Sequence, residues 1–203
     1  MPESPEELYA RIVAQVGDDG RLPTSSVVEW DIFPWEVVDG ALVAKVVRPP
    51  LEEEAPRAGE PGGAPCFTCA GTAEHVWEND RWTLKPLGRG GLPLVLLLET
   101  REHLDFPDLD DDLAGEYGRL SVWLCRIMSR LPHVGRVHVG RWGDGGSHVH
   151  IWFIARPARI PGILGSMAVE WDDLLPPTPE EIWRADLKTV ADRLANHDGR
   201  SLV

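Results

Sequence analysis

Gly145-Gly146-Ser147-His148-Val149-His150-Ile151-Trp152-Phe153-Ile154 sets two histidines two residues apart in a run of β-branched and aromatic residues. Successive side chains on a strand point to opposite faces, so His148 and His150 share one. Paired imidazoles on one face suit a common metal or phosphate better than a hydrophobic core. Upstream, Cys66-Phe67-Thr68-Cys69 has the spacing with which two thiolates clamp one zinc ion.

The chain around these motifs reads as strands interrupted by one long helix. Glu74-His75-Val76-Trp77 and Arg81-Trp82-Thr83-Leu84 flank Glu78-Asn79-Asp80 as a hairpin. Pro93 to Glu99 holds five consecutive aliphatics and reads as a central strand. From Leu109 to Leu131 apolar residues recur at helical spacing, with Asp110, Asp111 and Asp112 in the first turn to complement the helix dipole. Val134 to Trp142 alternates as a strand and His148 to Ala155 forms the next. Without regular strand–helix–strand alternation, the pattern predicts an α+β fold with an antiparallel sheet.

The flanks are of a different kind. Ser4 caps a short helix over residues 2–16 with Pro5 at its first position, and Thr178 with Pro179 begins a C-terminal helix ending near Asn196. Short apolar runs, Val27-Val28-Glu29-Trp30 and Ala41-Leu42-Val43-Ala44, predict one or two strands. Residues 49–65, rich in Pro, Gly and Glu, read as a solvated linker. Pro157 to Pro177 reads as irregular, and Pro161 to Met167 within it as a lid or a dimer contact.

Composition limits the partners. With 203 residues and 43% hydrophobic content, the chain can bury one sizeable core. A net charge of −13 disfavours binding nucleic acid through its phosphates. The absence of an apolar run of about 18 residues argues against a membrane span, and no charged-then-apolar leader opens the chain. Three cysteines, two of them in Cys-x-x-Cys, point to a metal in a reducing compartment, so the expected location is the cytoplasm.

In order, the Cys-x-x-Cys, the hairpin, a strand ending in Arg101-Glu102-His103-Leu104, a long helix, a strand and the His-x-His strand resemble the histidine triad superfamily. The zinc-containing branch, related to galactose-1-phosphate uridylyltransferase and the dinucleoside polyphosphate hydrolases, is the nearest pattern. The resemblance spans about residues 64–157. It implies a histidine triad-like antiparallel sheet with one long helix packed on it, preceded by an extension and linker (1–63) and followed by a loop and helix (158–203). It also implies a structural zinc held by Cys66, Cys69, His103 and His148, a nucleotide or related small ligand, and a homodimer.

By the same resemblance His150 takes the place of a nucleophile that attacks an α-phosphate. Ser147 would assist catalysis, and Arg141, Arg156 and the Gly145-Gly146 backbone would meet the ligand. Neutral imidazole is a competent nucleophile near neutral pH. The chain departs from the pattern in three places. Trp152 stands where a third histidine or a glutamine is expected, and its indole is a donor only. The polar run before the motif is reduced to Gly145-Gly146-Ser147, and the region expected to supply an acidic ribose contact reads Leu84-Lys85-Pro86-Leu87. Two functions remain open. One is a nucleotidyl hydrolase or transferase working through His150. The other is a catalytically lapsed, zinc-stabilised protein that binds a small ligand, with Trp152 in its pocket, or a protein partner.

The remaining polar residues have plainer readings. His75, His133 and His197 lie beside turns or helix ends and are expected in solvent, and Cys125 is expected to pack in the core. Asp172 and Asp173 have no assigned role.

Overall fold

A computed structural model describes residues 3–24, 32–71 and 74–203. The expected strand around Val27-Val28-Glu29-Trp30 lies outside the described residues. The elements are α1 (Pro5–Val13), β1 (Trp35–Val38), β2 (Ala41–Ala44), β3 (Trp77–Glu78), β4 (Trp82–Pro86), β5 (Leu94–Thr100), α2 (Asp111–Met128), β6 (Val134–Gly140), β7 (His150–Pro157), α3 (Glu180–Ala195) and β8 (Arg200–Ser201). Short 3₁₀ turns occupy Phe106–Asp108 and Ser166–Asp172. This is the α+β class expected, and no helix among the described residues is long and apolar enough to cross a membrane.

Six strands form one sheet in the order β6-β7-β5-β4-β3-β8, with antiparallel neighbours throughout. β5 lies inside the sheet, and all seven of its residues are buried. Its even-numbered leucines, Leu94, Leu96 and Leu98, join Trp82, Leu84, Ile151 and Phe153 in the main core. Helix α2 contributes Leu120, Leu124 and Met128 to that core, and α3 contributes Leu187, Val190 and Leu194. The core therefore runs past residue 157, and α3 belongs to it as fully as α2 does.

The opposite face carries Lys85, Leu97, Glu99, His150 and Trp152, because the register pairs Lys85 with Leu97, Leu97 with Trp152, and Glu99 with His150. One end of this face is covered. Ile163, Ala168 and Leu175 bury against Leu92, Val95 and Ile154. The segment expected as a lid is thus partly a second core, with Leu164 and Met167 facing outward. The other end stays open and becomes the cleft described below.

Caps account for the helix boundaries, with one correction. Ser4 and Glu7 form a reciprocal capping box at α1, and Asp110 Oδ1 accepts from Leu113 N at 2.7 Å to start α2. Thr178 does not cap α3. Its hydroxyl donates to Leu92 O at 3.0 Å and ties the helix start to the approach of β5. Asp172 finds its role at the same place, where Oδ1 accepts from Leu92 N at 2.8 Å. Helix α1 is held to the segment before α3 by Arg11, which pairs with Glu3 and donates to the carbonyls of Pro176 and Pro177.

Two further expectations are corrected. His133 is buried rather than solvated, with Nε2 2.8 Å from Asp186 Oδ2 on α3. The segment 49–65 is not wholly a solvated linker. Ala58 is buried, and its backbone bonds Gly145 O and Ser147 N at 3.1 and 3.0 Å. Residues 57–60 form a strap along the loop before β7.

Candidate functional site

The two cysteines and two histidines implied as ligands come together from three parts of the chain. Cys66 and Cys69 lie on a turn ahead of β3, His103 follows β5, and His148 precedes β7. Their four donor atoms lie within 4.8 Å of one another. Cys66 Sγ is 3.4 Å from His148 Nδ1, and Cys69 Sγ is 3.3 Å from His103 Nδ1 and 3.5 Å from His148 Nδ1. A tetrahedron with ordinary zinc–sulfur and zinc–nitrogen bonds has S···N edges of about 3.6 Å, so the cluster has the size and chemistry of a zinc site.

Hydrogen bonds behind the ligands set the imidazole tautomers. His148 Nε2 faces Thr100 O at 2.7 Å, and a carbonyl only accepts, so the proton sits on Nε2 and the Nδ1 lone pair faces the cysteines. Ser147 Oγ donates to Ala58 O at 3.3 Å, which leaves it to accept from His103 Nε2 at 3.3 Å. Both rings therefore present Nδ1 to the centre, the second-sphere arrangement metal-binding histidines need. Burial pushes the His148 pKa below its ordinary 6.5, which keeps the ring neutral. Partial desolvation, then the neighbouring Cys66, pushes the Cys69 thiol above its ordinary value. A divalent cation would reverse that effect, because a coordinated thiol is deprotonated outright.

Gly59 on the strap makes this packing attainable. Its φ is +94°, and a Cβ there would lie 2.6 Å from His103 Cε1 and 2.8 Å from Ser147 Oγ. Only glycine combines that backbone with that approach.

Next to the cluster lies a cleft of about 570 Å³. Phe67 and Thr68, from between the cysteines, form one wall; Pro86, Leu87 and Leu97 line the floor; Trp142, Gly145 and Gly146 form the opposite wall. His150 and Trp152 both face this space, as their shared strand face requires. The Trp142 and Trp152 rings meet edge to face at 88°, with centroids 5.5 Å apart. Trp152 Nε1 is buried without an acceptor.

His150 is enclosed on both sides. Nδ1 lies 2.6 Å from His148 O and Nε2 lies 2.8 Å from Trp142 O. Both partners are acceptors, whereas a neutral imidazole has one donor. The Trp142 carbonyl thus occupies the direction from which an electrophile would meet Nε2.

Other residues implied as ligand contacts lie elsewhere. Arg141 Nη2 pairs with Asp105 Oδ1 at 2.7 Å, and its guanidinium lies 5.2 Å over the Phe106 ring. Arg156 is six residues along β7 from His150, about 20 Å at strand spacing, and donates to Pro157 O. Ser147 is buried among the metal-site hydrogen bonds and does not line the cleft. Gly145, Gly146 and Trp152 do line it.

The sequence reading missed two polar devices. The first is Asp105, which takes Arg57 Nη2 at 2.6 Å in addition to Arg141, while Arg57 Nη1 donates to Gly143 O at 3.0 Å. Burial works to raise the Asp105 pKa, but the bonds from Arg57 and Phe106 N outweigh it and hold the group below its ordinary 3.8. These bonds tie down the loop that carries Trp142, whose carbonyl meets His150. The second device is Lys85 Nζ with Glu99 Oε1 at 2.7 Å, an ion pair in the cleft floor. The carboxylate sits on the aliphatic strand β5, where hydrophobic patterning gives no hint of it.

No family model matches the sequence, and no curated protein matches it. Solved structures do resemble the fold. A histidine triad protein from Marinobacter aquaeolei superposes at TM-score 0.50 and 18% identity, covering 64% of this chain and 93% of that one. A zinc-bound histidine triad family protein from Mycobacterium smegmatis gives 0.49 and 17%, covering 66% and 97%. A hypothetical histidine triad nucleotide-binding protein from Sulfolobus tokodaii gives 0.47 and 14%, covering 64% and 89%. At such identities the likeness is one of fold: the chain has a histidine triad-like α+β fold.

Proposed function

We propose that this chain is a zinc-stapled binding protein with a histidine triad-like fold, whose cleft takes a small planar ligand, and that His150 does not serve nucleotidyl transfer. The observation that carries this reading is the position of Trp142 O, 2.8 Å from the ring nitrogen that would attack phosphorus. The charges agree with it. Lys85 is the one Lys or Arg lining the cleft among the described residues, and Glu99 already neutralises it. A phosphate chain placed there would meet no free guanidinium of the kind that recognises it.

The donor set fits zinc, which when bound supplies a cross-link and the positive charge that keeps both thiols ionised. The protein does the rest. Cys66 and Cys69 hold Phe67 and Thr68 as a wall of the cleft, His148 anchors the start of β7, and Trp142 with Trp152 offers aromatic surface to a flat ligand. By resemblance alone, the proposal also includes a homodimer.

The test is release of nucleoside monophosphate from dinucleoside polyphosphates, nucleoside phosphoramidates and nucleotide sugars, run beside His150→Ala. The expected result is no turnover by the wild type above the variant. Turnover that the variant abolishes would overturn the reading and restore His150 as a nucleophile.

A further inference from the structure

The Cys66-Phe67-Thr68-Cys69 turn opens to solvent on one side. Cys69 and His103 are exposed and Cys66 is half-buried, whereas His148 is buried. The Ala70 N–H donates to Cys66 O at 3.1 Å, closing one helical turn, in which Cα atoms three residues apart stand about 5 Å from each other. A disulfide spans roughly 4.4–6.8 Å between Cα atoms. The two sulfurs already lie within 4.8 Å of each other, and the Cys69 N–H donates to Cys66 Sγ at 3.4 Å. The third cysteine is placed differently. Cys125 sits on α2 against the main core, where burial pushes its thiol above its ordinary value.

We infer that Cys66 and Cys69 form an oxidation site for hydroperoxides, closing to a disulfide that releases the metal. The inference rests on the zinc site of the binding reading above and adds its regulation. Thiols that react in this way are ionised, solvent-accessible and set beside a resolving cysteine. The Cys69 thiolate attacks one peroxide oxygen, the O–O bond breaks, and hydroxide leaves and takes a proton to become water. The Cys66 thiolate then displaces hydroxide from the Cys69 sulfenic acid, the S–S bond forms, and a second proton makes the second water. Two electrons pass from the sulfurs to the peroxide. Two of the four ligands are then lost, and His103 with His148 alone does not make the closed site that holds zinc. Phe67 and Thr68 stand between the paired sulfurs and line the cleft, and Thr68 Oγ1 donates to Glu99 Oε1 at 3.0 Å. Oxidation therefore acts on a wall of the ligand cleft as well as on the fold.

The test treats the protein as purified, assayed for zinc by elemental analysis, with hydrogen peroxide beside a peroxide-free control. A chromogenic chelator follows released zinc, and peptide mass mapping follows the sulfurs. Zinc should leave at the rate at which the Cys66–Cys69 pair loses two hydrogens. That rate should be at least about tenfold faster than oxygen gain at Met167, a 52% exposed internal reference. Dithiothreitol with added zinc should restore the starting mass and metal content. Cys125→Ser should change none of this. Zinc retained while Met167 is oxidised would overturn the inference and leave the zinc site standing. Release with Cys66 and Cys69 driven to sulfinic or sulfonic acid, or paired with Cys125, would also overturn it. Absence of zinc from the purified protein would strike the zinc site itself, and this inference with it, before peroxide is added.

Discussion

The metal cluster, at the ends of β5 and β7, and the cleft beside it, on those strands, are finished to different degrees. At the cluster the imidazole nitrogens are all engaged. Each ring presents Nδ1 to the centre, and each Nε2 is held by Thr100 O or Ser147 Oγ. In the cleft the polar groups compete or go unpartnered. His150 has a carbonyl oxygen at each ring nitrogen, Trp152 Nε1 has no acceptor, and Glu99 Oε2 has no donor. A set of groups satisfied within the protein makes a structural element, whereas each buried group left incomplete calls for its own explanation, in the cleft as at Ser121 and Trp183.

The comparison breaks first if the cluster is not a metal site. Purified protein should carry one zinc per chain by elemental analysis. Cys66→Ser should lose the metal and about 4–5 kcal/mol of stability, since loss of a structural metal belongs among the largest single-residue effects. Thermal unfolding with and without a chelator measures it. A melting temperature unmoved by either treatment would remove the distinction between the two regions.

A smaller change sharpens the boundary between them. Gly59 and Gly20 both have left-handed backbones, at φ +94° and +76°, but a Cβ at Gly20 meets nothing within 4 Å whereas one at Gly59 strikes His103. Both Gly→Ala changes therefore carry the backbone penalty, of order 1 kcal/mol. Gly59→Ala should cost about 1–3 kcal/mol more and weaken zinc retention against a competing chelator, and Gly20→Ala should leave zinc retention unchanged. Equal zinc affinity in the two variants would show that the strap does not support the metal ligands.

Much of the metal cluster was legible in the chain because each ligand type announces itself. Cysteines at Cys-x-x-Cys spacing and histidines two apart are rare for any other reason, although β7 begins at His150 rather than at His148 as expected, and the order of elements around them carried the fold. The hairpin, β5, α2 and the capped start of α1 follow from period and cap chemistry at the places expected. What the chain hid are contacts between distant segments. Residues 57–60 sit within a Pro- and Gly-rich stretch whose composition signals solvent, and nothing local reveals that Ala58 pairs with Gly146. Thr178 has the chemistry of a cap, but its hydroxyl is drawn to Leu92 O by the tertiary fold. Arg141 has the right charge and place in the sequence for a phosphate, and Asp105 across the loop takes it instead. Glu99 is hidden by its setting, a single carboxylate among leucines whose counter-charge sits on the next strand.

Asp105 offers the finest test, because its two arginines bond the loop that carries Trp142 O and it is not one of the metal ligands. The carboxylate binds Arg57 and Arg141 through separate oxygens, and those two arginines hold the loop that carries Trp142 O to His150. Asp105→Asn keeps the shape but removes the charge, which weakens both charge-assisted bonds. The pairs are part-buried, so a loss of about 1 kcal/mol is in scale, which raises the population of the open loop roughly fivefold. Nε2 of His150 would then be free of the Trp142 carbonyl. Modification by diethyl pyrocarbonate, followed at the His150 peptide by mass spectrometry, should speed up by that factor, while His75 serves as an internal reference away from the loop. An unchanged rate at His150 would mean that the Trp142 carbonyl is held by its own backbone rather than by the clamp. The enclosure of His150 would then be intrinsic to the loop from Gly140 to Gly146. A faster rate together with new nucleotidyl turnover would instead make the clamp a restraint on chemistry that the cleft retains.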